Sequence, residues 1–463
     1  MPIASVMLAD VDTYFDRLAD YRDGDADGLT FYLAGAAVTA SEEAEASATA
    51  LGELPDRWRA AAGQPRKGST AASVIDQLLA SPVLTYKTAA RLAATSDRSA
   101  FSALDRLTDA EILSEITGNR RDRVWIANDV FDELERLVDD DPTPGRFLLT
   151  GSTNFLAVPS ISESLAGRAR ILRLWPLSEA ELAGAYPNTV TRWFDGSVGT
   201  GADPGLSRAD YLERLCRGGY PEVISLDPAT RRAWFESYVE TVTSRDLVAL
   251  ADIREVTALT GLLTWAAGST SQEVNVSSAA GALGIDRSTV VSYLEWLEAV
   301  FLVHSIPAWS RNLTARATRR PKLHLTDTGL AADLLGLGQE ALLSPTAPAT
   351  GSLIETFTVN EIARQASAAL DRVELSHYRD RRDHEVDLVL GRRDGTMVAI
   401  EVKATASPSS SQLRHVAWLR DKVDVAAPSA FRAGILLHAG AQSATVGDRL
   451  HLLPISSLWS VPG

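Results

Sequence analysis

The chain reads as a multidomain α/β protein, and three observations carry that reading. Its 463 residues exceed what one core encloses and suggest about three domains. An apolar content of 45% is that of a globular protein. The pattern also changes along the chain, from helical spacing near the N-terminus to two short alternating strands near the C-terminus.

Residues 1 to about 66 read as an amphipathic helix and then an Ala/Glu-rich helix around Phe31 to Leu54. Gly63-Gln-Pro-Arg-Lys-Gly-Ser69 has the composition of a linker. From residue 72 to 138 three short helices follow, around Val74, Thr88 and Ser99, and then a two-stranded wing from Ile112 to Ala127. That is the order of a winged helix-turn-helix, a unit that binds DNA in many proteins and packs against other domains in many more.

Several motifs here, Tyr14-Phe-Asp-Arg-Leu18, Arg22-Asp-Gly-Asp25, Ala103-Leu-Asp-Arg-Leu107 and Leu113-Ser-Glu-Ile-Thr-Gly-Asn-Arg120, resemble the C-terminal half of Fic family proteins. Those proteins attach nucleotides to hydroxyl groups through a motif of the form HPFxDGNGR. The first histidine of this chain is His304, so the resemblance implies the helical and winged parts without the catalytic loop.

Past Asp139-Asp-Asp-Pro-Thr-Pro-Gly145 the character changes again. Arg146-Phe-Leu-Leu-Thr-Gly-Ser152, Ser164-Leu-Ala-Gly-Arg168, Leu172-Arg-Leu-Trp-Pro-Leu-Ser178, Arg217-Gly-Gly-Tyr-Pro-Glu222, Ser244-Arg-Asp-Leu247 and Lys322-Leu-His-Leu-Thr-Asp-Thr-Gly-Leu330 stand in that order. Together they resemble bacterial and archaeal AAA ATP-binding proteins that carry an uncharacterised C-terminal domain. The resemblance implies a partial AAA-type segment over 146–255, with Thr150 to Ser152 at the sensor strand and Arg168 facing phosphate. ATP is not expected as a cofactor, because none of the five lysines (Lys67, Lys87, Lys322, Lys403, Lys422) ends a GxxxxGK[ST] loop. Loss of the central strand should separate Phe147–Leu149 from Ile171–Leu174, leaving edges that pair with each other or pack poorly.

Residues 258–326 supply a second winged helix-turn-helix. Val276 to Leu283 leads through Gly284 to a helix capped by Asp286, with Val290, Leu294, Leu297 and Val300 facing the core. Arg287, Ser288 and Tyr293 are then available to a DNA groove, and Arg311, Arg316, Arg319, Arg320 and Lys322 form a basic wing. The competing reading is a module that joins two larger domains.

The chemistry concentrates in 345–455. Glu385-Val-Asp387-Leu-Val-Leu390 and Val398-Ala-Ile-Glu401-Val-Lys403 read as paired strands. Asp387 and Glu401 lie opposite each other only in a hairpin centred on Asp394, which demands a three- or five-residue loop or a bulge, and a one-residue slip would part them. Asp followed by Glu-x-Lys on the next strand resembles the PD-(D/E)xK nuclease pattern, implying a restriction-endonuclease-like α/β domain. Asp387, Glu401 and Lys403 are then the catalytic residues. Glu355, Asp387 and Glu401 are the ligands of Mg²⁺, an ion that favours oxygen donors, with Glu361 behind them. The alternative is an edge hairpin with solvated charges. His377 and His384, without metal-site spacing, read as surface or hairpin-flank residues.

A net charge of −15 excludes a protein that coats DNA non-specifically. One cysteine, Cys216, excludes an internal disulfide, and the chain carries no signal peptide and no apolar run of membrane length, so the cytoplasm is the expected compartment. Three functions fit: a DNA-associated protein, formerly an ATPase, with a metal-dependent nuclease domain; a non-catalytic regulator that binds DNA or a partner; and a fusion of two truncated genes, joined near Val138 to Gly145, without a selected function.

Overall fold

The computed structural model describes residues 11–22, 26–115, 123–133, 172–185, 189–199, 205–243, 256–310, 319–344, 346–369, 371–380 and 382–460. Arg146 to Ile171, Ser244 to Leu247, Arg311 and Arg316 lie outside these, and with them the sensor strand, Arg168, the Val138–Gly145 junction and part of the basic wing. The chain divides into two units, 1–171 with 246–253, and 172–245 with 254–463.

In the first unit α1 (Val11–Arg22) precedes α2 (Ala26–Ala61), which continues through Pro55. The end of α2 is anchored by burial: Leu54, Trp58 and, just past the helix, Ala62 enter a core with Val74, Ile75, Leu104, Leu107 and Trp125. Trp58 satisfies its indole N–H by donating to Asp129 at 2.6 Å. The three helices that follow each begin at a hydroxyl cap. Ser69 caps α3 (Thr70–Gln77), Thr85 caps α4 (Tyr86–Leu92) and Ser96 caps α5 (Asp97–Asp109), each accepting a backbone N–H of the first turn. Strands β1 (Val83–Thr85), β2 (Leu113–Glu115) and β3 (Val124–Ala127) form an antiparallel sheet in the order β1-β3-β2. The expected wing of two strands thus has three. Strand β1 is the addition, a three-residue run that shares Thr85 with the cap of α4 and is too short to show a period of its own.

In the second unit Ser178 and Glu181 close a capping box on α6 (Glu179–Leu182), followed by α7 (Thr189–Phe194), α8 (Arg208–Arg217) and α9 (Pro228–Thr241). Residues 172–174 form no strand, and Leu174 is 97% exposed, so the expected Ile171–Leu174 strand is absent over its described residues. Arg173 instead lies 3.8 Å over the Trp175 ring. The second winged segment comprises α10 (Val256–Gly268), β4 (Gln272–Glu273), α11 (Val276–Leu283), α12 (Arg287–Ala299), β5 (Val303–Ile306) and β6 (Lys322–Leu325). Its sheet order, β4-β6-β5, repeats that of the first unit. Gly284, at φ 68° and ψ 27°, makes the left-handed turn between α11 and α12. Asp286 stands at the N-cap position of α12 without a side-chain cap bond.

Helices α13 (Thr328–Leu334), α14 (Gln339–Leu343) and α15 (Ala349–Ala368) lead to a six-stranded sheet. Its strands are β7 (Glu374–Arg379), β8 (Glu385–Gly391), β9 (Met397–Lys403), β10 (Phe431–His438), β11 (Ala444–Gly447) and β12 (Leu450–Pro454), in the order β11-β12-β10-β9-β8-β7. Strands β7 to β9 are antiparallel, while β10 runs parallel to both β9 and β12. The crossover helix α16 (Arg414–Ala426) packs Val416, Leu419 and Val423 on the sheet, and α15 also packs against β9. Residues Val386 to Leu390 are therefore all buried, where one-sided alternation would leave every second one exposed.

Two of the sequence motifs meet in this unit. The Asp327 carboxylate accepts the Gly219 N–H at 2.7 Å and caps α13 through the Leu330 N–H at 2.9 Å. A Cβ on Gly219 would lie 2.3 Å from the Leu177 carbonyl oxygen, and one on Gly329 2.8 Å from the Gly218 backbone. Both motifs are close-packing devices here.

A candidate carboxylate and lysine centre

The β8–β9 hairpin pairs Leu388 with Ile400, Leu390 with Val398 and Gly391 with Met397 across a five-residue turn, Arg392 to Thr396. This register is centred on Asp394, whose carboxylate accepts from the Thr396 N–H and hydroxyl at 2.9 and 2.6 Å. Asp387 and Glu401 consequently fall opposite each other, one step past the last ladder pair. There the Asp387 side chain accepts the Val402 N–H at 2.9 Å. Both residues are buried, so they are not the solvated charges of an edge hairpin.

Lys322 is the residue that sequence reasoning placed elsewhere. The sequence places it in a basic wing, but it is 2% exposed, because β6 is the middle strand of its sheet and acids of α15 and β8 cover its ammonium. Its Nζ lies 2.9 Å from Glu355 Oε1, 3.0 Å from Glu385 Oε1 and 3.3 Å from Asp387 Oδ1. An ammonium has three protons, and here three carboxylates surround it. Lys403 sits beside them, its Nζ 2.6 Å from Glu401 Oε1. The other oxygen of Glu401, Oε2, is buried with no hydrogen-bond partner. Elements β6, α15, β8 and β9 thus bring four carboxylates and two ammonium groups into one centre. Glu385 shares the strand parity of Asp387, a local signal that could have found it, whereas Lys322 has no such mark.

The electrostatics follow from this crowding. Burial first, then the Asp387 charge, pushes the Glu355 carboxyl up to about 8 and that of Glu401 up to about 7, against the pull of Lys322 and Lys403. For the two lysines burial acts to lower the pKa, but the surrounding carboxylates outweigh it and leave both ammonium groups raised.

Among the described residues, no three His, Cys, Asp or Glu side chains are spaced as ligands of one metal ion. The Glu355 and Asp387 oxygens that would take part already face Lys322. Expected ligands Glu355, Asp387 and Glu401 are therefore gathered, but as placed they do not fit the Mg²⁺ that the pattern implies. Glu361 serves another purpose: it accepts from the Glu179 and Ala180 N–H groups at 3.0 and 3.4 Å and holds the start of α6.

The expected DNA-facing residues are dispersed. Arg287 and Ser288 are exposed at the start of α12, and Arg319 and Arg320 are exposed before β6. Arg319 donates to the Arg379 carbonyl at 3.2 Å. Tyr293, offered to a groove, is buried at 6% exposure, since the i, i+3, i+7 spacing of α12 places it with Val290 and Leu297 on the core face. His377 is not a surface residue either. It is fully buried on β7, its backbone bonded to Pro307 and Trp309. His384 is half-buried, stacked at 3.9 Å on Trp418.

Comparison with known proteins adds three regional matches. Residues 77–183 match a family described as an AAA domain, 208–341 a domain of unknown function (DUF8612), and 350–458 a domain of unknown function (DUF4143). The AAA match begins at the end of α3, well before the boundary at 146 read from the sequence, and the DUF4143 match takes in Glu355, Glu385, Asp387, Glu401 and Lys403 but stops short of Lys322. Two curated relatives, uncharacterised proteins of Mycobacterium bovis and Mycobacterium tuberculosis, are each 30% identical over 285 residues, 61% of this chain. The chain spans 58% of the length of these relatives. No helix among the described residues is long and apolar enough to cross a membrane. This chain is thus similar, region by region, to AAA-domain and DUF4143 proteins.

Proposed function

We propose that this is a DNA-associated protein, related to AAA ATP-binding proteins but without an ATP-binding core of its own, whose C-terminal domain is endonuclease-like and held in a non-cleaving state. The observation that carries the reading is the register of β8 and β9, which sets Asp387 against Glu401 with Lys403 beside it. In a nuclease of this pattern the acids hold a metal that supplies an attacking hydroxide. Here Lys322 neutralises the same acids, and no such step is available while it does. The two winged segments provide the attachment to DNA, through Arg287, Ser288, Arg319 and Arg320 in the second, and a net charge of −15 makes that attachment local.

Two measurements test this. Cleavage of single- and double-stranded DNA with Mg²⁺ or Mn²⁺ is expected to be the same for wild type, Asp387→Ala and Lys403→Ala, at background. Salt-sensitive DNA retention is expected to survive both substitutions and to fall when Arg319 and Arg320 are neutralised together. Cleavage by wild type that Asp387→Ala abolishes would restore the nuclease reading. Absence of retention at low salt would remove DNA as the partner.

A further inference from the structure

We infer that Lys322 is a built-in counter-ion that closes a latent divalent-cation site formed by Glu355, Asp387 and Glu401, so that the ammonium and a metal ion exclude each other. The inference rests on the endonuclease-like reading for the kind of ligand, and on geometry for the exclusion. Lys322 Nζ lies within 3.3 Å of oxygens on Glu355, Glu385 and Asp387, the separation of a fully engaged ammonium. A metal at that point would meet a like charge at bonding distance. The neighbouring Glu401 is 8% exposed, and while its Oε1 pairs with Lys403 its Oε2 has no protein partner.

The lysine and two of the carboxylates have different structural attachments. Lys322 sits on β6, the middle strand of the second winged sheet, while Asp387 and Glu401 belong to the six-stranded sheet. The ammonium and these two acids thus reach the centre from separate sheets, and the hairpin register that aligns the acids does not depend on β6. The proposed device is thus a strand-borne lysine that keeps a metal site shut.

Stoichiometric Mn²⁺ binding to the full chain, read by the loss of the free-ion electron paramagnetic resonance signal, tests the exclusion without reference to DNA. Lys322→Met is expected to gain one Mn²⁺ per chain with at least about tenfold tighter affinity than wild type. Lys322→Met with Asp387→Asn is expected to lose it. A folded Lys322→Met chain that binds no tighter than wild type overturns the inference, whether or not the protein binds DNA. Should Lys322→Met not fold, wild type is titrated with Mn²⁺ while reductive methylation of Lys322 is followed by mass spectrometry. Mn²⁺ binding that Asp387→Asn removes and that leaves Lys322 protected overturns the inference. Absence of such binding, or binding that exposes Lys322 to methylation, supports it.

Discussion

Replacing Lys322 with methionine keeps an unbranched apolar stem, one atom shorter, and removes the one charge that three carboxylates share, and its energetic consequence can be worked from the distances. At 2.9 to 3.3 Å each carboxylate attracts the ammonium by roughly 5–6 kcal/mol at an effective dielectric constant near 20, before desolvation is subtracted. The half-exposed Glu385 contributes least, because solvent screens it. Desolvation of the ammonium offsets much of the rest, and breaking a buried pair of this kind typically costs about 3–5 kcal/mol because the partners are left uncompensated. That cost should depend on pH. Lys322 acts to lower the pKa of Glu355 and of Glu401, so without it both groups keep their protons to still higher pH. A protonated carboxyl needs no counter-ion. The penalty should therefore be about 3–5 kcal/mol at pH 9 and smaller at pH 5, where Glu355 and Glu401 are protonated and the pairs with Asp387 and Glu385 remain. Urea denaturation of wild type and Lys322→Met across that range, followed by circular dichroism, gives the difference directly. A penalty of equal size at both ends would refute the assignment of Lys322 as counter-ion to titrating acids.

Other outcomes follow from the same structure. Glu355 carries a pKa raised to about 8 in the folded chain, so its protonated form favours folding at acid pH and that contribution is lost as pH rises through 8. Unfolding free energy should accordingly fall between about pH 5 and pH 8 in wild type, and Glu355→Gln should flatten the slope in the same denaturation series. Gly219→Ala drives a methyl group to 2.3 Å from the Leu177 carbonyl and should destabilise the second unit by about 1–3 kcal/mol, seen as a lowered melting temperature. Gly281→Ala, in the middle of α11 with open space around it, should instead stabilise by about 0.5–1 kcal/mol.

Local rules reached much of this. A parity argument on twelve residues places Asp387 against Glu401, because a hairpin's register follows from its turn length and its two-residue repeat. Gly284 and the apolar spacing of α12 likewise mark a helix-turn-helix, and β6 repeats in the second unit the place of β3 in the first. Burial of the polar residues escaped the same rules. Lys322 and His377 look available on their own elements, and each is covered by something distant in sequence: Lys322 by α15 and β8, His377 by the chain at Pro307 and Trp309. Such coverage comes from tertiary packing, which no window of neighbouring residues encodes. The absence of a GxxxxGK[ST] loop is a fact of the sequence itself, since five lysines can be checked one by one.

Helix α15 is joined to β6 by more than the Glu355 pair. Asn360 donates to the Leu325 and Thr326 carbonyls at 2.9 and 3.0 Å and meets His304 at 2.8 Å, while Thr356 meets Thr270 at 2.8 Å and His324 at 3.1 Å. The boundary read from the sequence, between a segment ending at 326 and a C-terminal domain beginning at 345, is therefore a boundary of sequence motifs and not of charge or hydrogen bonding. A fragment cut there would retain every acid of the centre and discard the cation that neutralises three of them, turning a balanced interior into a patch of self-repelling carboxylates. In this protein the smallest piece that can be electrically content extends back at least to β6.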